Sequence, residues 1–263
     1  MNNFLAALMF FTRLPFHKIK QVPSECFSHV TGWWSLTGWV TGGTSALTFY
    51  ICSLFLPIEV AVALAMLSRV LITGALHEDG LADFIDGFGG GTDRDSTLRI
   101  MKDSHIGTYG TIGLIFYFLL TYLLTISTEI RYIPILLLTS DVFCKCVSSH
   151  IVFFLPYARP ETESKNGTVY SHPTALEETL TLVSGFGVLL LIPTGIGFIG
   201  GIVPIPYSLV FTVLPVGVFF LLVLLFKKRI GGYTGDCCGA MFLLTELSFR
   251  LTQACFYNTS LNS

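Results

Sequence analysis

The sequence predicts an all-α polytopic membrane protein of about seven transmembrane helices, six to eight at the limits, with short cytoplasmic loop helices. Three observations predict it. The mean hydropathy is +0.70. Only 12% of the 263 residues are charged, about half of what a water-facing domain normally carries. Several apolar runs approach the roughly 20 residues that a helix needs to cross hydrocarbon. Most of the surface must therefore face lipid, and residues 1–263 read as a single integral membrane domain with no room for a large soluble one.

The run from Met1 to Phe11 is apolar but short, and Arg13 follows it instead of preceding it, unlike a secretion signal. Phe4, Leu5, Leu8 and Phe11 recur at helical spacing, which predicts a short helix at the interface or packed on the bundle. Spans are then expected at 32–56, 58–76, 109–127, 133–155, 180–200, 204–226 and 236–256, the last being the weakest. Pro57, Pro134, Pro156, Pro204 and the Gly231-Gly232 pair mark several borders.

Basic residues test this division independently. Arg13, Lys18 and Lys20 lie in the amino-terminal segment; Arg94, Arg99 and Lys102 in the connection 77–108; Arg159 and Lys165 in 156–179; Lys227, Lys228 and Arg229 in 227–235. The intervening links hold one basic residue, Arg131. By the positive-inside rule the amino terminus and the longer polar loops are cytoplasmic.

A net charge of −2 excludes a polyanionic partner, so no nucleic acid is expected. Seven cysteines include no C-x-x-C pair and read as packing thiols within apolar spans.

Of the 17 acidic residues, seven fall between Glu78 and Asp103. Asp79, Asp83 and Asp86 stand at i, i+4 and i+7. On a helix continuing from the second span, that spacing puts them within a sector of about 60°. Three carboxylates so close repel unless a cation sits among them. Mg²⁺ is the natural candidate, because it takes oxygen ligands and keeps phosphate oxygens and waters in its shell. A solvated polar helix face is the alternative, and the neighbouring glycine run favours the metal.

Gly87, Gly89, Gly90 and Gly91 should end that helix, without forming a P-loop because no G-K-[ST] follows. Asp93 or Asp95 should cap a second short helix carrying Arg99, Lys102 and Asp103, whose cations suit a substrate phosphate. Arg94 alone reads as an inside-facing anchor. His77 and Glu78 point away from the carboxylate row; Leu81 stands where a zinc H-E-x-x-H motif needs histidine, so His77 reads as a supporting group. Glu246 with Arg250, and Asp141 with Lys145, are spaced as i,i+4 pairs within spans, while Arg69 has no local partner.

Longer strings carry a family resemblance. His77-Glu78-Asp79-Gly80-Leu81-Ala82-Asp83 with Asp86-Gly87, then Met101-Lys102-Asp103-Ser104 and Ile106-Gly107-Thr108-Tyr109-Gly110, resemble the cobalamin synthase (adenosylcobinamide-GDP ribazoletransferase) family. So do Phe11-Thr12-Arg13-Leu14-Pro15, Tyr157-Ala158-Arg159-Pro160, and Gly231-Gly232-Tyr233-Thr234-Gly235-Asp236 with Gly239-Ala240 and Glu246. Ser35 and the segment 161–167 depart from the family's pattern.

The resemblance implies a membrane enzyme that joins adenosylcobinamide-GDP to α-ribazole or its 5′-phosphate, releases GMP and uses Mg²⁺. It implies corrinoid and nucleoside substrates, contact with membrane lipid, and association with other corrinoid-assembly enzymes as an open question beside oligomeric state. Asp79, Asp83 and Asp86 form the expected catalytic and metal-holding set. Arg13, His77, Arg99, Lys102, Asp103, Arg159 and Asp236 form the substrate-binding set. Two rivals belong to other classes. A CDP-alcohol phosphotransferase shares the opening of its D-x-x-D-G-x-x-A-R signature at Asp83-x-x-Asp86-Gly87, but Gly90 and Gly91 replace its A-R. A small-solute transporter would need carboxylates at mid-membrane and not in one loop.

Overall fold

The computed structural model describes residues 2–159, 170–192 and 205–261. Among these the chain is helical throughout: α1 Asn2–Phe11, α2 Trp34–Ser53, α3 Ile58–Thr73, α4 Leu76–Gly90, α5 Arg94–Lys102, α6 Thr108–Ile126, α7 Ile133–Ser149, α8 Ile151–Phe154, α9 Ala175–Gly187, α10 Ile205–Ile230 and α11 Gly235–Leu261. None of the seven cysteines forms a disulfide.

The α-helical architecture is the one expected, but the expected count of seven spans is not reached on length and apolarity. Among the described residues three stretches qualify, Thr108–Ile126, Ile130–Phe154 and Val210–Ile230, or four if the bent pair α3–α4 is one span. The reason lies in burial. Helix α11 occupies the interior and α2 turns one face inward, and they hide polar side chains there, Thr37, Thr41 and Ser45 on α2 and Thr245, Glu246 and Arg250 on α11. A helix screened from lipid by its neighbours need not be apolar all round. The expected span 180–200 is described only as far as Ile192; its remainder, Pro204, Pro160 and Lys165 lie outside the described residues.

On α1 the buried face is Ala6, Ala7, Leu8 and Phe11, rotated from the expected stripe. Phe4 and Leu5 are only half-buried. The small side chains admit the neighbouring chain, and Phe11 stacks on Trp34 at 5.0 Å between ring centroids.

The acidic helix does not continue the second span. Gly74 (φ +66°) and Ala75 (φ +59°) both take left-handed backbone, and α4 leaves α3 at 89°. Such a conformation is disfavoured for alanine and concentrates strain at the elbow. Beyond it, α4 lies across α11 at a crossing of small residues. A Cβ on Gly80 would stand 3.0 Å from the Asp236 carbonyl oxygen, and one on Gly239 would stand 3.1 Å from that of His77. Larger side chains at either position would force the helices apart.

The charged residues within the spans pair as their spacing suggests. Arg250 meets Glu246 at 2.7 Å and Lys145 meets Asp141 at 2.6 Å. Arg69 finds its partners across the bundle: Glu246 of α11, the Tyr117 hydroxyl of α6 at 2.8 Å, and Glu78 of α4 at 3.7 Å.

Candidate active site

Four connections rich in basic residues meet at one end of the bundle. The Arg13 backbone N–H donates to Ile72 at 2.7 Å, and its side chain lies over Gly74 at the elbow. Arg94 donates to the carbonyls of Ala158 at 2.6 Å and Ile230 at 3.1 Å. Arg229 reaches the carbonyl of Gly91 at 2.7 Å, and Arg159 that of Leu98 at 3.1 Å. Tyr157 and Tyr233 bridge the middle and last loops.

Helix α4 delivers the carboxylates, which the fold treats differently. Asp79 is exposed and Asp83 half-buried, one turn apart on the same face. Asp86 is buried and turned to the start of α6, where its oxygens accept the Gly107 N–H at 2.7 Å and the Gly110 N–H at 2.9 Å. It caps that helix from outside, a natural place for an anion. Among the described residues no three His, Cys, Asp or Glu side chains are arranged to hold a metal. The donor set nevertheless suits Mg²⁺ in a reduced form, since this ion often takes one or two carboxylates and completes its shell with water and phosphate. Asp79 and Asp83 are two such donors.

The glycine run ends α4 at Gly90, as expected, and α5 follows after a turn. Asp93 caps α5 through a capping box with Ser96, whose backbone N–H donates at 2.8 Å and holds the Asp93 carboxyl below the usual carboxylate range. Thr97 and Met101 bury one side of α5. The other side opens onto a cavity of about 630 Å³ lined by Arg94, Arg99, Lys102, Asp103 and Arg159 with Asp95, Leu98 and Ala158.

Four expected substrate-binding residues, Arg99, Lys102, Asp103 and Arg159, therefore share one cavity. Arg13 stands apart at the elbow. Asp236 is buried behind Gly80 at the start of α11. His77 does not face the cavity; it is buried among aromatic rings, 5.6 Å from Trp34 and 4.9 Å from Phe242 between centroids.

Arg94, expected as an anchor, ties α5 to the carbonyls of Ala158 and Ile230 and also lines the cavity. Arg94, Leu98 and Lys102 at i, i+4 and i+8 form one stripe of α5, and that periodicity was the available signal. The partner of Arg69, 177 residues away, had no such signal.

Comparison with known proteins then decides the family. The family model for cobalamin-5-phosphate synthase matches residues 3–254. The chain belongs to the cobalamin-5-phosphate synthase family. Among curated relatives it is 37% identical to the adenosylcobinamide-GDP ribazoletransferase of Shewanella baltica (strain OS185), over 93% of this chain and 90% of the relative. It is 38% identical to that of Shewanella sp. (strain W3-18-1) and 34% to that of Shewanella oneidensis, over the same shares. No solved structure matches the chain. In this cobalamin-5-phosphate synthase family member the acidic helix α4 leads through the glycine turn into α5, which lines the cationic cavity.

Proposed function

We propose that the protein joins adenosylcobinamide-GDP to α-ribazole or its 5′-phosphate, at a site facing the cytoplasm. The observation that carries this reading is the cavity itself: four cations gathered from two separate connections, beside the helix α5 that follows the acidic helix α4 after the glycine turn. Arg99, Lys102 and Arg159 bind the diphosphate, and Arg159 is held in place through the Leu98 carbonyl. A ribose hydroxyl of the incoming nucleoside attacks the phosphorus on the cobinamide side. The P–O bond to the GMP phosphate breaks, and the hydroxyl proton passes to a carboxylate of the α4 row.

Mg²⁺ held by Asp79 and Asp83 would supply charge neutralisation on the diphosphate and the departing GMP. Asp86 then serves by fixing the start of α6 against α4. The basic residues around this face support a cytoplasmic orientation, where a soluble nucleotide-linked substrate can arrive.

The test is product formation by purified protein in detergent, given adenosylcobinamide-GDP, α-ribazole and Mg²⁺, beside Asp83→Ala and an EDTA control. The expected result is cobalamin and GMP only with intact Asp83 and metal; absence of product from folded wild-type protein overturns the reading.

A further inference from the structure

The cavity holds a charge arrangement that phosphate binding alone does not use. Four cations face two carboxylates, Asp95 and Asp103, leaving a balance of four minus two positive charges. That balance matches the two ionised groups of a diphosphate diester. The volume of about 630 Å³ lies within the range of roughly 300–1,000 Å³ that encloses a small ligand, so it can take a nucleoside as well as its phosphates. The base of such a nucleotide needs a partner of its own.

The two carboxylates are not equivalent. The Asp95 side chain is 90% exposed and turned to Arg94 at 3.3 Å. Asp103, at the carboxyl end of α5, is 57% exposed but held on one side: its Oδ1 accepts the His105 N–H at 2.9 Å and lies 2.7 Å from the ring Nδ1. The His105 N–H, then its ring, hold the Asp103 carboxyl below the usual carboxylate range, so it is ionised at neutral pH. Among the described residues no donor reaches Oδ2.

A fixed, ionised acceptor with one open oxygen suits a base edge that carries donors. Guanine offers N1–H and a 2-amino group. Adenine has neither donor there, hypoxanthine lacks the amino group, and xanthine has a carbonyl acceptor in its place. We infer that Asp103 sets base specificity, its Oδ2 accepting a hydrogen bond from the 2-amino group of a guanine held in the cavity. The inference rests on the proposed use of a guanosine-diphosphate-linked substrate.

Asp103→Asn is isosteric and makes an opposite demand. The His105 N–H keeps the amide oxygen on its own side, so the amide NH₂ takes the place of Oδ2 and offers a donor, matched to the 2-carbonyl of xanthine. The experiment measures binding of GMP, IMP, XMP and AMP to the full chain in lipid nanodiscs, for wild type, Asp103→Asn and Arg99→Ala. Wild type is expected to bind GMP about tenfold or more tightly than IMP or XMP, the scale of one charge-assisted hydrogen bond. Asp103→Asn should lose that preference and favour XMP, whereas Arg99→Ala should weaken all four alike. A GMP-to-IMP ratio unchanged in Asp103→Asn overturns the inference; if wild type still makes product, the proposed reaction survives it. If no nucleotide binds to wild type the inference falls, and if wild type also makes no product the proposed reaction falls with it.

Discussion

Nη1 of Arg69 donates to both carboxylate oxygens of Glu246, at 2.6 Å to Oε1 and 2.5 Å to Oε2, joining α3 to α11 inside the bundle. Arg250 and Ser140 bond the same carboxylate at 2.7 and 3.2 Å. Arg69 lies one turn before the elbow that aims the acidic helix, so the pair fixes the wall on which Asp79 and Asp83 are mounted. Replacing Glu246 with Gln removes the carboxylate that buried Arg250 pairs with and leaves Arg69 only the more distant Glu78 at 3.7 Å. Loss of one partner from such a cluster costs about 3–5 kcal/mol. Thermal unfolding in detergent should show a large drop for Glu246→Gln, much of it recovered when Arg69→Met, Glu246→Leu and Arg250→Met are combined. A midpoint equal to wild type for the single change would contradict this account.

Asp86 and Asp83 should separate in their effects. Asp86 accepts two backbone N–H groups at the start of α6, so Asp86→Ala should lower stability by about 1–2 kcal/mol. Asp83→Ala should raise the Mg²⁺ concentration for half-maximal activity. The two are compared by unfolding and by Mg²⁺ titration of product formation. A shift in Mg²⁺ dependence for Asp86→Asn equal to that of Asp83→Asn would return Asp86 to the ligand set.

Glu177, near the start of α9, gives the fold an acid-sensitive contact. Burial raises its pKa, but donors from Thr174, Asn3 and Trp33 outweigh this and hold it at about 2. The Asn3 and Trp33 bonds are 2.8 and 3.0 Å long. Because the folded value lies below the ordinary glutamate value of about 4.3, the stabilisation is complete above that pH and is lost as pH falls towards 2. Wild type should therefore unfold at a higher temperature than Glu177→Gln at about pH 6, with the gap closing as the pH approaches 2. A gap constant across that window would contradict the assignment.

The crossing of α4 and α11 depends on Gly239, where a Cβ would stand 3.1 Å from the His77 carbonyl oxygen. Gly239→Val should cost about 1–3 kcal/mol by overpacking. It should also lower kcat more than it raises the KM for adenosylcobinamide-GDP, because α4 carries the carboxylates while the cations of the cavity come from α5 and the middle loop. An unchanged kcat in a destabilised variant would show that the crossing does not position the site.

Much of this organisation is legible in local patterns. Arg99, Lys102 and Asp103 share the cavity because one short helix presents them together, and its cap at Asp93 and the glycine stop at Gly90 are both local signals. The i,i+4 pairs Asp141–Lys145 and Glu246–Arg250 follow from helical spacing alone. The same spacing grouped Asp86 with Asp79 and Asp83, yet it could not reveal that the amino end of α6 would claim that carboxylate. Nor could it reveal that aromatic rings from three other helices would enclose His77.

By itself the sequence determined the membrane class, the helices, the acidic and basic segments and the family, because composition, periodicity and motif order are properties of neighbours along the chain. Only the tertiary structure decided the elbow at Gly74–Ala75, the different surroundings of each carboxylate, the gathering of Arg94 and Arg159 into one cavity, and the partner of Arg69. Those depend on which helices cross and which backbone donors lie nearest. In a bundle where buried charges must find partners or bear a large desolvation cost, that geometry sets which polar groups remain available for chemistry.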